Sequence, residues 1–327
     1  MPMASTEPVL EVRDLVKHFA VRRSGWFGAR AIVHAVDGVS FVLRRAETLA
    51  IVGESGSGKS TVGRMIVGLT PPTAGSVHLM GQRIDQLGRR KMRPLRRHLQ
   101  LIFQDPYASL NPRMTAGRIV GEPLGNFVTE SAAERRDRTA ALLSRVGLGA
   151  QYLDRHPHQF SGGQRQRLGI ARAIATRPTV VVCDEPVSAL DVSVQAQVIN
   201  LLVDLQAEFG MSYLFIAHDL GVVEHVSDRT AVMYLGRLVE IAQTRALFRA
   251  PQHPYTQALM ASVPLPDPTK PRLTLAVEGE VPSAIAPPPG CRFHTRCPHA
   301  KPVCRTEVPP LRVIAPGHEA ACHLLSG

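Results

Sequence analysis

Long apolar runs are missing from this 327-residue chain. None approaches the ~18 consecutive apolar residues of a bilayer-crossing helix, so a helical membrane crossing is excluded. The first residues, Met1 to Pro8, contain neither a basic nor an apolar segment. No secretory leader is therefore expected, and the chain is placed inside the cell. Acidic residues are outnumbered, 27 against 38 Lys and Arg, for a net charge of +11 and a sequence pI near 10.0. That excess attracts polyanions: nucleic acid, ribosome, anionic headgroups or nucleotide phosphate. A scattered excess is more often simply a solvated surface. The densest run, Arg89 to His98, has no interleaved aromatic and so lacks the stacking platform of a single-strand binder. Cysteine is scarce, five in all, and C-x-x-C knuckles are absent, which argues against an ordinary zinc ribbon. What remains is an ordinary globular composition, 44% hydrophobic and 20% charged, with room for one large domain plus an appendage or for two medium domains.

The most informative stretch is Gly53-Glu54-Ser55-Gly56-Ser57-Gly58-Lys59-Ser60-Thr61. Thr48 to Val52 before it reads as a buried strand and Val62 to Leu69 after it as a helix, the context that a phosphate cradle requires. Gly53, Gly56 and Gly58 let backbone N–H groups approach a polyphosphate, and the helix N-terminus adds its positive end. Lys59 is expected to reach the terminal phosphates, and the Ser60 hydroxyl to ligate the accompanying magnesium. Further on, Thr179 to Asp184 reads as an apolar strand ending in Asp184-Glu185. That pair supplies what the loop lacks, with Asp184 to hold magnesium and Glu185 to orient or deprotonate an attacking water. Gln104 follows the strand Leu99 to Phe103, and His218 stands at the tip of Tyr213 to Ala217; both point where open α/β sheets place ligands. Phe19 is an aromatic far upstream that fits an adenine ring, although a phenylalanine is more often core.

Residues 105–173 change to helical periodicity and read as an inserted helical subdomain. It ends in Ser161-Gly162-Gly163-Gln164, where a serine N-cap and two glycines at a helix start again favour an anion. Two anion sites in one chain would have to be adjacent to grip one phosphate, unless a dimer brings each to the other's partner.

Taken in order, Gly53 to Thr61, Gln104, Ser161 to Gln164, Asp184-Glu185, Ser188 to Asp191 and His218 resemble the nucleotide-binding subunit of ABC transporters. The resemblance spans about residues 8 to 262. It implies an α/β P-loop NTPase (RecA-like) fold, an N-terminal antiparallel β layer, an inserted helical subdomain and a cysteine-containing C-terminal extension. It also implies ATP and Mg2+ as cofactors, Phe19 on the adenine, Ser55 and Thr61 in the phosphate cradle, and Gln104 as a sensor of magnesium and permease. Ser161, Gly163 and Gln164 would grip the γ-phosphate bound to the opposite subunit, and Asp191 would communicate across the dimer.

A narrower resemblance rests on His253-Pro254-Tyr255-Thr256-Gln257-Ala258-Leu259, Gly290 to His294, Arg296-Cys297-Pro298, Phe103 to Pro112 and Glu185 to Asp191. These are similar to the second of the two ATPases of bacterial dipeptide and oligopeptide importers; nickel and glutathione importers share the signatures. The implied partners are two transmembrane permease subunits, a sister ATPase or a second copy, and an extracytoplasmic solute-binding protein. Residues 105 to 113 would meet the permease, at the cytoplasmic face of the plasma membrane. An alternative, an ABC-type ATPase acting on nucleic acid or ribosomes, is opposed by the single cassette and the lack of a long heptad segment; no nucleic acid is expected.

Residues 263–327 form the extension, with Pro264 to Pro289 read as a proline-rich linker. Cys291, Cys297, Cys304 and Cys322 follow, spaced by five, six and seventeen residues. Cytosolic cysteines so concentrated point to a metal rather than disulfides. Four thiolates and a Cys-Pro favour a [4Fe–4S] cluster, with Zn2+ and unmetallated thiols as alternatives. Cys183, in the core strand, reads as a small hydrophobe.

Overall fold

The computed structural model describes residues 7–22, 30–262 and 279–325, and opens with two strands of 15 residues each, β1 (Pro8–Arg22) and β2 (Arg30–Arg44). In β2 the side chains of Val39, Phe41 and Leu43 are buried and alternate with less buried neighbours, the period of a strand covered on one face. β3 (Thr48–Val52) is buried at all five positions and leads through the glycine-rich loop into α1 (Lys59–Ile66). β4 (Ala74–Leu79) and the short β5 (Gln82–Arg83) come next. The basic run then forms α2 (Arg89–Met92) and one 3-10 turn. Only Met92 of that run is buried, so its cations lie on a solvated face, the plainer of the two readings.

After β6 (Leu99–Ile102) come four helices, each begun by a cap that the sequence supplies. Asp105 caps α3 (Pro106–Ser109), Thr115 caps α4 (Ala116–Phe127), and Ser131 with Glu134 forms a capping box on α5 (Ala132–Arg145). Ser161 with Gln164 forms another on α6 (Gly162–Ile174). β7 (Val180–Asp184), α7 (Val192–Phe209) and β8 (Ser212–Ala217) follow, α7 ending at Gly210 with φ 63°. The remaining elements are α8 (Leu220–Val226), β9 (Arg229–Tyr234), β10 (Arg237–Gln243), α9 (Thr244–Arg249), α10 (Pro254–Ala261), β11 (Arg312–Ala315) and β12 (His318–Ala320).

Two compact units share the chain. The first comprises Met1–Leu10, Leu43–Thr48 and Leu79–Ile216. In it β6, β7 and β8 run parallel, with Leu99 opposite Val180, Ile102 opposite Cys183, and Asp184 opposite Ile216. β7 and β8 are buried along their whole length, as parallel strands covered on both faces must be. Burial pushes the Cys183 thiol up and keeps it neutral, so it behaves as a hydrophobe. Helix α4 packs on α5 and α6 around Val120, Leu124, Leu143 and Leu168.

The second unit comprises Glu11–Val42, Leu49–His78 and Ala217–Gly327. β3 pairs parallel with β9, β9 antiparallel with β10, and β12 lies between β10 and β11. β12 docks by backbone pairing, Glu240 opposite Ala320, so the extension after Gly279 joins an existing sheet instead of building its own core. The linker expected over Pro264 to Pro289 lies partly outside the described residues, which resume at Gly279. Among the described residues no helix is long and apolar enough to cross a membrane.

Candidate functional site

In the second unit, β3 feeds the glycine-rich loop and α1 takes it up at Lys59. The loop presses against neighbouring backbone so closely that side chains are excluded. A Cβ on Gly53 would lie 2.1 Å from the Met233 carbonyl oxygen, and one on Gly58 the same distance from that of Ala35. Both glycines also hold positive φ, 152° and 103°. Lys59 is buried, and its ammonium donates to the carbonyls of Gly53 at 2.7 Å and Glu54 at 2.9 Å and to Ser57 Oγ at 3.4 Å. The cation is thus folded onto the loop it serves. Ser55 and Gly56 are exposed at the loop's crest, and Ser60 and Thr61 are half-buried in the first turn of α1. On β1, Phe19 is 38% exposed with Lys17 Nζ 4.9 Å from its ring centroid, an accessible π-face instead of a core side chain. His218 is exposed just beyond β8.

In the first unit, strand ends carry the carboxylates and the carboxamide. Asp184 is the buried last residue of β7. Glu185 follows at φ 47°, a left-handed conformation that costs a non-glycine residue roughly 1–2 kcal/mol. Its N–H donates to Ile216 O at 3.0 Å, while its carbonyl accepts from Ser188 Oγ at 3.1 Å. Those bonds hold the strained turn and aim its carboxylate at Gln104, whose Nε2 donates to Glu185 Oε2 at 2.9 Å. The fold therefore brings together two residues far apart in the chain.

The α6 N-terminus is built as its sequence predicts: Ser161 Oγ accepts from Gln164 N at 3.3 Å and Gln164 Oε1 from Ser161 N at 3.0 Å. A Cβ on Gly163 would lie 2.5 Å from Val194 Cγ1, so α6 starts hard against α7. Asp191 is exposed at the N-cap of α7 and makes no cap bond with its side chain.

Sequence reading missed how the phosphate loop is held. The Glu54 amide donates to Tyr255 Oη at 2.9 Å, and Arg296 Nη1 donates to both Glu54 carboxylate oxygens, at 3.2 and 3.0 Å. Nearby, Asp37 accepts from Arg237 Nη2 at 3.1 Å and from Arg292. Burial works against its charge, yet Arg237, Arg292 and His18 together hold its carboxyl below the ordinary carboxylate value. The only signal was that Tyr255, Arg292 and Arg296 fall inside the motifs of the extension.

Among the described residues one group of three ligand-type side chains has its atoms within 4.8 Å of one another, His18, His34 and Asp37. The cysteines form no such group. Cys291, Cys297, Cys304 and Cys322 are unbridged, and burial raises the thiols of the first, second and fourth.

Comparison with known proteins agrees with this geometry. The ABC transporter family matches residues 36–188, and the oligopeptide/dipeptide transporter C-terminal region matches residues 239–304. The oligopeptide transport ATP-binding protein AppF of Bacillus subtilis is 51% identical over 330 residues, 100% of both chains. The di/tripeptide transport ATP-binding protein DppF of Pseudomonas aeruginosa is 49% identical over 319 residues, 97% of this chain and 98% of that one. The ATP-binding cassette MJ0796, solved as a post-hydrolysis dimer with ADP and Pi, superposes with a TM-score of 0.64 at 29% identity, covering 72% of this chain and 99% of that one. Loop, strand ends and relatives agree that this chain belongs to the ABC transporter family and carries that family's oligopeptide/dipeptide C-terminal region.

Proposed function

We propose that the chain binds and hydrolyses MgATP to power import of dipeptides or oligopeptides through a membrane permease. The observation that carries this reading is the Gln104–Glu185 bond at a strained strand end, in a chain whose glycine-rich loop is shaped to the limit of its backbone. Lys59 and the loop amides bind the β- and γ-phosphates, and Phe19 stacks on the adenine. Ser60, Asp184 and Gln104 offer the hard oxygen donors that magnesium prefers, and the ion neutralises phosphate charge when bound. Glu185 accepts the proton of the attacking water, with Gln104 fixing its orientation and His218 contacting the γ-phosphate. Ser161, Gly163 and Gln164 grip the γ-phosphate held by the partner subunit, across which Asp191 communicates.

The peptide class rests on the C-terminal region and on relatives whose names state oligopeptide and di/tripeptide transport. The partners are two permease subunits, contacted by residues 105 to 113, a sister ATPase and an extracytoplasmic solute-binding protein, with the chain on the cytoplasmic face of the membrane. Reconstituting it with these partners in vesicles tests the reading. Peptide should raise ATP hydrolysis and accumulate inside; ATPase activity stimulated by DNA and not by permease would reverse it.

For Cys291, Cys297, Cys304 and Cys322 we propose a [4Fe–4S] cluster. Burial raises the Cys291, Cys297 and Cys322 thiols, and a bond from the backbone N–H two residues on, from Phe293, His299 and Leu324, works against that rise. Such bonds stabilise ligating thiolates. No three of these sulfurs stand within 4.8 Å of one another, so a bound metal group would have to draw them together. The bound cluster would supply a compact crosslink to a segment with little core of its own. Matching iron and sulfide after anaerobic purification is the expected result; colourless protein with one zinc rejects it.

A further inference from the structure

The phosphate loop of the second unit is tied to α10 and to the C-terminal extension through one residue, Glu54. Three of its groups are engaged at once. Its amide donates to Tyr255 Oη, its carbonyl accepts from Lys59 Nζ at 2.9 Å, and its carboxylate accepts at both oxygens from Arg296. Arg296 is nearly buried, with its side chain 9% exposed, against 31% for Glu54. The carboxylate stands in the loop that receives a polyphosphate, where an uncompensated negative charge repels the ligand. Arg296 cancels that charge from a position 242 residues away in the chain.

The arm bearing Arg296 is itself anchored to the strands that floor the loop. Phe293 is buried edge-on to Tyr234, ring centroids 5.3 Å apart, and tilted against Tyr255 at 5.4 Å. Arg292 donates to the Leu235 carbonyl and to Asp37. The next residue, Gly236, donates its amide to Ser57 O of the loop at 2.8 Å. Cys291 and Cys297 bracket this arm. Whatever orders the two cysteines therefore orders Arg292, Phe293 and Arg296 together.

We propose that Arg296 is a positioning residue for the phosphate loop, through which the cysteine-bearing arm sets the affinity for ATP. It acts on Glu54 and not on the nucleotide. The proposal rests on the ATP-binding function proposed above and assigns the extension a regulatory part in it.

Equilibrium binding of a fluorescent ATP analogue to the full-length chain, with Mg2+, is the test. Arg296→Ala should weaken binding about three- to tenfold, the scale of one partly exposed charge pair. KM should rise with little change in saturated turnover. Adding Glu54→Gln to Arg296→Ala removes the stranded carboxylate and should restore most of the affinity. Replacing Cys291 and Cys297 by serine should weaken binding in the parent and add nothing in Arg296→Ala. Unchanged affinity in Arg296→Ala, or no recovery in the double variant, overturns the proposal. Should Arg296→Ala fail to fold, Arg296→Gln is measured against the same expectations, with thermal unfolding as the control. A parent chain that binds no nucleotide would instead refute the underlying function, so the two failures are distinguishable.

Discussion

The Gln104 carboxamide and the Glu185 carboxylate meet at 2.9 Å, 81 residues apart in sequence, at the ends of adjacent parallel strands. The bond fixes the rotamer of a carboxylate whose backbone is already held at φ 47°. A general base is effective only when aimed, so the amide is expected to matter for the rate.

Gln104→Ala should therefore lower ATP turnover by about tenfold or more while leaving nucleotide affinity within a few-fold of the parent. Paired steady-state kinetics and equilibrium binding check this. Unchanged turnover removes Gln104 from its orienting role.

Gly58→Ala places a methyl group 2.1 Å from the Ala35 carbonyl oxygen at φ 103°. The loop must move to relieve the overlap. A loss of roughly 2 kcal/mol or more of stability and of nucleotide binding is expected, read by thermal unfolding and binding titration. Wild-type binding in this variant would show that the loop is not the cradle.

Those features were legible in the sequence because they are local. Glycine spacing, apolar strand runs and the Ser161 cap each act within a few residues, and the strand, loop and helix order follows from them. The full 15-residue lengths of β1 and β2 were not legible, since backbone pairing continues through polar positions that break an apolar pattern. Glu54 with Arg296, and Asp37 with Arg237 and Arg292, were illegible for a different reason. Long-range pairing of charged side chains leaves no periodic trace, and 200 or more residues separate the members. The docking of β12 on β10 was hidden likewise, because a strand of three residues carries too little pattern to announce itself.

Phe19 offers an exposed aromatic face on β1. Phe19→Ala should raise KM for ATP about five- to 150-fold with saturated turnover largely kept, and Phe19→Trp should recover the loss, as stacking is worth roughly 1–3 kcal/mol. Equal kinetics for all three proteins would deny the stacking role.

His253 is buried at the start of α10, where Nδ1 accepts from Tyr255 N at 3.0 Å and its own amide donates to Glu240. Burial lowers its pKa from 6.5 to about 4. The unfolded chain thus takes up this proton at higher pH than the folded one, so stability declines as pH falls from about 6.5 towards 4, by roughly 3 kcal/mol at most. His253→Asn, which keeps a capping acceptor, should flatten that slope in denaturant titrations across the window. An unaltered slope would mean that His253 is not protonated on unfolding.

The most direct measurement is sedimentation and nucleotide analysis of Glu185→Gln, alone and mixed with its sister ATPase, with and without MgATP. Removing the base while keeping the hydrogen-bonding shape should stop hydrolysis and leave a dimer that retains intact ATP and separates when the nucleotide is withdrawn. A variant that stays monomeric in MgATP with either partner, or turns ATP over at the parent rate, would contradict an ATP-closed dimer driven by this carboxylate.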